Sequence, residues 1–276
     1  MADKLNFAKD SLLRTVTASI FGTIVLYILF LGEVQFFLTV CLITSIGALE
    51  WSSFLNLIEL HLRCLYSLFV LIVLGTMYFL ANFYDIFQFI ICFGVCFWVC
   101  LMSVIFGYEK QKFQIPQNRH ILAALGLLVL GVGSLSIIFL YRISPYLVLV
   151  LLCAVWSIDI CAYVGGKFTG RRKFMPRISP NKTWEGVYIG ALGGVIVTLL
   201  LGHQFSTLNS LELLILYFFT FLGAVFGDLF ESLMKRMSGI KDSGRLLPGH
   251  GGILDRIDSV LAAAPAFALA LIVIEI

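Results

Sequence analysis

The sequence is a succession of apolar runs, each near the length that crosses a bilayer, separated by short polar breaks, and this pattern leaves few folds open. A bilayer core is about 30 Å thick, so a spanning helix takes about 20 mostly apolar residues. Nine runs qualify, centred on residues 15–31, 34–49, 65–81, 86–106, 121–141, 145–164, 184–202, 211–229 and 259–275. Glu50 and Trp51 interrupt the second, which has room to continue to Ile58. The alternating apolar and polar segments of a membrane barrel are absent. With 60% hydrophobic and only 13% charged residues, against roughly 25% charged in soluble domains, the chain is predicted to be an all-α polytopic integral membrane protein of nine helices.

Charge placement tests that count separately, because cytoplasmic loops collect Lys and Arg. With the N-terminus cytoplasmic and the C-terminus outside, eighteen of the nineteen basic residues fall on the inner side, and Arg142 alone falls outside. Removing one helix midway would scatter the bases over both faces. The first run has the look of a signal peptide, but no A-x-A-like site follows Leu31, so it reads as an uncleaved helix. A single membrane domain over 1–276 is expected, with N-terminal helices in 1–144 and a catalytic half in 145–276 carrying cytoplasmic loops 165–183 and 230–258. Modest length and the lack of long tails point to a bacterial inner membrane with the site facing the cytoplasm.

Two patterns inside the spans read as packing. Cys92, Cys96 and Cys100 share a helical face without an accompanying His or a C-x-x-C, which favours ordinary burial over a metal stripe. Gly186, Gly190 and Gly194 put a small residue at every fourth position, which lets helices approach closely within or between subunits.

The polar chemistry gathers in two inner loops. Residues 165–186, GGKFTGRRKFMPRISPNKTWEG, hold six bases and one acid, Glu185. Glycines that expose backbone N–H groups, together with Lys and Arg, suit a phosphate. Asn181 or Thr183 is placed to cap a helix whose N-terminus would face the anion. The same composition also fits a loop that only touches anionic lipid heads. Residues 227–259, GDLFESLMKRMSGIKDSGRLLPGHGGILDRIDS, place Asp228, Glu231, Ser232 and Lys235 on one helical face, then a Gly- and Pro-rich loop, then Asp255 and Asp258 at i, i+3. Acids are favoured in a first helical turn in any case.

Asp159 is the deepest acid, and an acid at the bilayer centre costs roughly 2.5–3.5 kcal/mol on insertion scales. It reads either as a hydrogen-bonded structural acid or as the lining of a cavity. Carboxylates without a His or Cys cluster suit Mg²⁺, which keeps waters and shares one or two carboxylates with substrate phosphates. Asp228 and Asp255 amid Lys and Arg therefore look like the protein half of a nucleoside triphosphate site. His250, between two glycines, reads as a phosphate donor, a proton carrier or a structural residue.

The run from Ser232 to Asp258, SLMKRMSGIKDSGRLLPGHGGILDRID, resembles the signature of the phosphatidate cytidylyltransferases. It has the S-x-x-K-R, K-D, P-G-H-G-G and D-R-x-D elements of that signature. SPNKTWEG and DICAYVGGKFTGRRK are similar to the family's upstream segments, although Asn181 stands where many members have Lys. The resemblance implies a membrane enzyme that condenses CTP with phosphatidate to CDP-diacylglycerol and pyrophosphate. It implies Mg²⁺ on Asp228 and Asp255, admits a monovalent ion such as K⁺ beside it, and implies a homodimer among membrane lipids with no nucleic-acid partner. Lys235, Arg236, Lys241, Arg256 and His250 are then expected to act on the nucleotide phosphates. Arg171, Lys173, Ser179, Asn181, Lys182 and Thr183 are expected to receive the phosphatidate headgroup or the pyrophosphate end. Asp258 would stand behind the metal ligands, Asp242 would touch the metal or pair with a base, and Asp159 would line the lipid cavity.

Three other classes fit less well. A CTP-dependent lipid kinase would not need the long C-terminal signature. A transporter would show paired broken helices in two related halves, whereas the polar residues here crowd into one half. A scaffold has no use for two charged, glycine-rich inner loops.

Overall fold

The computed structural model describes residues 22–81, 83–112, 118–244, 246 and 251–275. Eight long helices are described, α1 (Glu33–Trp51), α2 (Leu60–Leu80), α3 (Tyr84–Glu109), α4 (Arg119–Ile143), α5 (Pro145–Thr169), α6 (Trp184–Phe205), α7 (Ser210–Ser238) and α8 (Leu254–Glu275). All eight are long and apolar enough to cross a membrane. Helical residues 22–28 belong to the first apolar run. The earlier part of that run, and with it the expectation of an uncleaved first helix, lies outside the described residues.

Helix ends follow local chemistry. Ser144 closes α4 and accepts a bond from the Tyr146 amide at the start of α5, with Pro145 at the first helical position. Asn209 and Glu212 form a reciprocal capping box at the head of α7. Gly239 stops the same helix in the left-handed region, at φ 66°. α7 thus runs well past its apolar stretch and carries Asp228, Glu231, Ser232 and Lys235, as the one-face spacing predicts.

The chain is helical in its spans as expected, and to these helices the connection between α5 and α6 adds one short antiparallel hairpin of β1 (Lys173–Met175) and β2 (Ser179–Thr183). Such a loop, with Pro176 and Pro180, reads as irregular by pattern alone. Pro180 is tolerated because a two-stranded sheet leaves one side of each strand unpaired. Met175 and Ile178 fasten the hairpin by burying against Phe230, Leu233 and Met234 of α7.

The glycine stripe works within the chain. A Cβ on Gly186 would stand 2.7 Å from the Ala162 carbonyl oxygen, and one on Gly190 would stand 2.8 Å from that of Ile158. α5 and α6 therefore touch backbone to backbone. Cys92, Cys96 and Cys100 are exposed on the outer face of α3 and are not packed inside. Arg142 bonds to Glu33 at 3.2 Å and to the Tyr78 hydroxyl at 2.5 Å, which gathers the ends of α4, α1 and α2 at one end of the bundle.

Replacing Gly190 by Leu should lower stability by about 2 kcal/mol, since overpacking a close contact has this scale. Leu192→Ala, on the exposed face of α6, should leave the thermal midpoint in detergent unchanged; equal midpoints for both variants would refute the contact.

Candidate active site

Two glycines bring the chemistry together. A Cβ on Gly223 would lie 2.7 Å from the Ala262 carbonyl oxygen, and one on Gly227 would lie 2.6 Å from that of Asp258. α7 and α8 therefore pack nearly backbone to backbone, and the acids one turn away on each helix face a common space. Lys235 sits between them, its Nζ 2.5 Å from Glu231 Oε2 and 2.8 Å from Asp255 Oδ1. The Glu231 and Asp255 side chains are only 4% and 7% exposed. Charges so removed from water persist only when paired and hydrogen-bonded. Asp255 completes its set by accepting the Gly252 amide at 2.8 Å and the Ser243 amide at 3.1 Å.

A second pair lies alongside. Lys182 of β2 places Nζ 2.7 Å from Asp228 Oδ2, and Asp228 Oδ1 accepts the Ser232 hydroxyl at 3.3 Å. This pair is 23% and 31% exposed, so it opens to solvent while the Lys235 group lies deeper. Asp159 of α5 is accessible and within electrostatic range of Asp228, Asp258, Lys182 and Arg256. Asp258 accepts the Ser259 amide at 2.7 Å. The acids of α5, α7 and α8 and the bases of β2, α7 and α8 thus form one cluster.

Two carboxylates were not singled out by the sequence reading. Glu231 belongs to the acidic face, yet its burial against Lys235 is a tertiary fact. Glu50 stood out only as an interruption of the second run. It is 6% exposed and accepts bonds from the Ile253 amide at 3.1 Å, the Leu254 amide at 2.7 Å and the Ser243 hydroxyl at 3.4 Å. Since the first amides of a helix have no intrahelical acceptor, Glu50 serves as a cap borrowed from α1. Glu50 and Asp255 each grip both ends of the loop, near Ser243 and near residues 252–254.

The hairpin is positioned by similar means. The Thr183 hydroxyl caps α6 through the Gly186 amide at 3.2 Å, as expected of Asn181 or Thr183. Glu185 accepts the Arg171 and Arg172 amides at 3.0 and 3.1 Å, so the one acid of the loop shapes the turn beneath its bases. Glu109 of α3 accepts the Arg177 amide at 3.2 Å. Arg171, Lys173 and Asn181 are exposed, and Ser179 is half-buried. Arg236 turns away from Lys235 and donates from Nε to the Ile178 carbonyl at 3.2 Å, where it ties α7 to the hairpin. Lys241 and Asp242 are exposed on the loop, with Asp242 beside Gly251. His250 lies outside the described residues.

Among the described residues no three His, Cys, Asp or Glu side chains form a complete cation site. The oxygen donors present fit a hard ion that takes its remaining ligands from water and phosphate, which is the habit of Mg²⁺. Glu231 Oε1 supports the fit, being buried without a hydrogen-bond partner beside Asp255.

Residues 12–274 match the Cytidylyltransferase family. The phosphatidate cytidylyltransferase of Pseudomonas aeruginosa is 35% identical over 265 residues, covering 92% of this chain and 94% of that protein. That of Brucella suis is 33% identical over 254 residues, covering 91% and 89%. That of Haemophilus influenzae is 45% identical over 140 residues, covering 46% and 47%.

Glu50→Ala would leave two buried amides without an acceptor, at an expected cost of about 3 kcal/mol. A lowered thermal midpoint with faster proteolysis of the 239–253 loop is the expected outcome; an unchanged midpoint would show that the loop does not depend on Glu50.

Proposed function

The chain belongs to the cytidylyltransferase family and is a multi-pass membrane nucleotidyltransferase of phospholipid synthesis; on that premise we propose how this site turns CTP and phosphatidate into CDP-diacylglycerol and pyrophosphate. The observation that carries the reading is the convergence of the Lys182–Asp228 and Lys235–Asp255 pairs from three separate elements. Both lysines are already in place, Lys182 on Asp228 and Lys235 between Glu231 and Asp255. On nucleotide binding each exchanges its aspartate for a phosphate oxygen, and the released aspartates become available to a cation.

A phosphate oxygen of phosphatidate forms a bond to the α-phosphorus of CTP, and the bond from that phosphorus to the bridging oxygen breaks, releasing pyrophosphate with the electron pair. No general base is needed, because the phosphate monoester already carries a negative oxygen near neutral pH. Catalysis of such a transfer is mostly positioning and charge neutralisation. Asp228 and Asp255 would hold Mg²⁺, with Glu231 Oε1 adjacent. When bound, that ion supplies neutralisation of the triphosphate and of the departing pyrophosphate. Lys182 and Lys235 bind phosphate oxygens directly, and Arg256 faces the lipid headgroup. Arg171, Lys173 and Lys241 form an outer basic rim that draws in the nucleotide, and Arg236 keeps the hairpin over the site. Asp159 and Asp258 line the floor and orient these bases. K⁺ is retained as a companion ion and a homodimer as the working unit, both on the family resemblance.

The site faces the cytoplasm in this reading, with the N-terminus on the same side, in a bacterial inner membrane. Basic residues concentrate at this end of the bundle, CTP is water-soluble, and the relatives are bacterial.

Purified protein given radiolabelled CTP, phosphatidate and Mg²⁺ should form labelled CDP-diacylglycerol, and chelation of Mg²⁺ should stop it; no product where a known synthase works would refute the function. Asp228→Asn and Asp255→Asn should each lower kcat about a hundredfold or more, the scale of losing one preorganised electrostatic contact. Full activity in either would remove that residue from the site. For orientation, Lys241→Cys in a chain whose own cysteines are replaced should react with an impermeant maleimide in inside-out vesicles and not in intact cells, and the reverse pattern would invert the topology.

A further inference from the structure

The hairpin that carries Lys182 is held at both ends, and part of the hold at its tip comes from α3, outside the cluster of acids and lysines. At the base, the Thr183 hydroxyl caps α6 and the Trp184 amide donates to the Arg172 carbonyl at 2.9 Å. At the tip, Arg177 meets the end of α3 in three ways. Its amide donates to the Glu109 carboxylate, 3.2 Å from either oxygen, and its Nη1 donates to the Tyr108 carbonyl at 2.8 Å. Its guanidinium also lies 5.2 Å from the centre of the Tyr108 ring. We propose that Glu109 and Arg177 are positioning residues of the reaction, which pin the hairpin tip so that β2 lies in register along α7 and delivers Lys182 to Asp228. The inference rests on the function proposed above, in which Lys182 binds a phosphate oxygen of CTP, and adds what holds that lysine in place.

Two contacts define the register. Lys182 Nζ meets Asp228 Oδ2 at 2.7 Å, and the Ile178 carbonyl accepts Arg236 Nε at 3.2 Å. Lys182 lies four residues beyond Ile178, about 13 Å of extended chain. Arg236 lies eight residues beyond Asp228, about 12 Å of helix axis. Because the two spans agree, β2 runs antiparallel beside α7 and is attached to it at both ends. A slip of one residue would carry Lys182 about 3 Å along α7, out of hydrogen-bond reach of Asp228.

The hairpin lacks the means to set that register alone. Two paired strands are marginally stable in water, and the pairing here shifts between Lys173 and Met175. Met175 and Ile178 bury against α7, but apolar contact is non-directional and leaves sliding open. A main-chain amide bonded to a carboxylate is directional and strong, and that of Arg177 stands one residue from the carbonyl that Arg236 holds. The Arg177 guanidinium lies at the C-terminal end of α3, where the helix dipole favours a cation. An exposed ion pair fixes little by itself; here the bond falls on the backbone, and a spanning helix outside the hairpin supplies the reference.

Glu109→Ala removes the acceptor, whereas Glu109→Gln keeps an oxygen in its place. The measurement is the dissociation constant for CTP in Mg²⁺, which does not depend on the fraction of protein that folds. Glu109→Ala should weaken binding about fivefold, a usual scale for coupled neighbours. It should raise KM for CTP and leave KM for dihexanoyl phosphatidate unchanged. Glu109→Gln should restore wild-type affinity. With Lys182 already replaced by Ala, Glu109→Ala should change nothing further, since the tether acts through that lysine. If Glu109→Ala does not fold, Arg177→Ala, which loses the Tyr108 contacts, tests the same coupling and should show a loss that vanishes beside Lys182→Ala. Wild-type affinity in Glu109→Ala, a Gln variant no better than Ala, or an equal loss with and without Lys182 would each overturn the proposal. A Lys182→Ala protein that binds CTP as the wild type does would fail the role given to Lys182, and wild-type protein that makes no CDP-diacylglycerol would fail the function. Losses that simply add to that of Lys182→Ala, in active protein, would fail this inference alone.

Discussion

The ammonium of Lys235 is the interaction on which the site depends. It joins Glu231 of its own helix to Asp255 of the next, among side chains with little access to water. Burying either acid alone would carry a heavy desolvation penalty, and the shared lysine offsets it. The arrangement is possible because Gly223 and Gly227 let α7 and α8 approach until their backbones touch. A larger residue at either glycine would separate the helices and leave Asp255 beyond reach of Lys235. The glycines thus act on the chemistry through distance, with no reactive group of their own.

The second constraint concerns the loop between those helices. Backbone polar groups near a bilayer need partners from within the protein, and the amides of Ser243, Gly252, Ile253 and Leu254 find theirs in side chains. Asp255 accepts the first two and Glu50 the last two. Because Glu50 comes from α1, the N-terminal helices do more than anchor the chain. Through Glu50 they hold Ser243, Ile253 and Leu254, which lie within the stretch that carries the family signature.

The helix inventory and the identity of the central acids were legible in the sequence, since length and hydropathy fix spans and the i, i+3, i+4 spacing fixes a face. Asp228 and Lys235 fell on one face for that reason, and Asp255 and Asp258 on another. What stayed hidden depends on contacts distant in sequence. Glu50 bonds to residues about two hundred positions away, and nothing local marks it except its place at the end of an apolar run. Arg236 read as equivalent to its neighbour Lys235, yet the rotation of about 100° between adjacent helical residues sends it to the hairpin. The hairpin itself was missed because two short strands with two prolines carry almost no periodic signal. The cysteine face was assigned to packing, but in a membrane protein an apolar face is as well suited to lipid as to the interior.

In the proposed function, the aspartates held by Lys182 and Lys235 pass those lysines to a triphosphate and take a cation in exchange. Equilibrium binding of CTP to the purified protein, without phosphatidate, tests that exchange most directly. Mg²⁺ should tighten CTP binding in the wild type, and Asp255→Asn should bind CTP equally in Mg²⁺ and in chelator. Wild-type affinity indifferent to Mg²⁺, or an Asp255→Asn variant that keeps the full tightening, would contradict it.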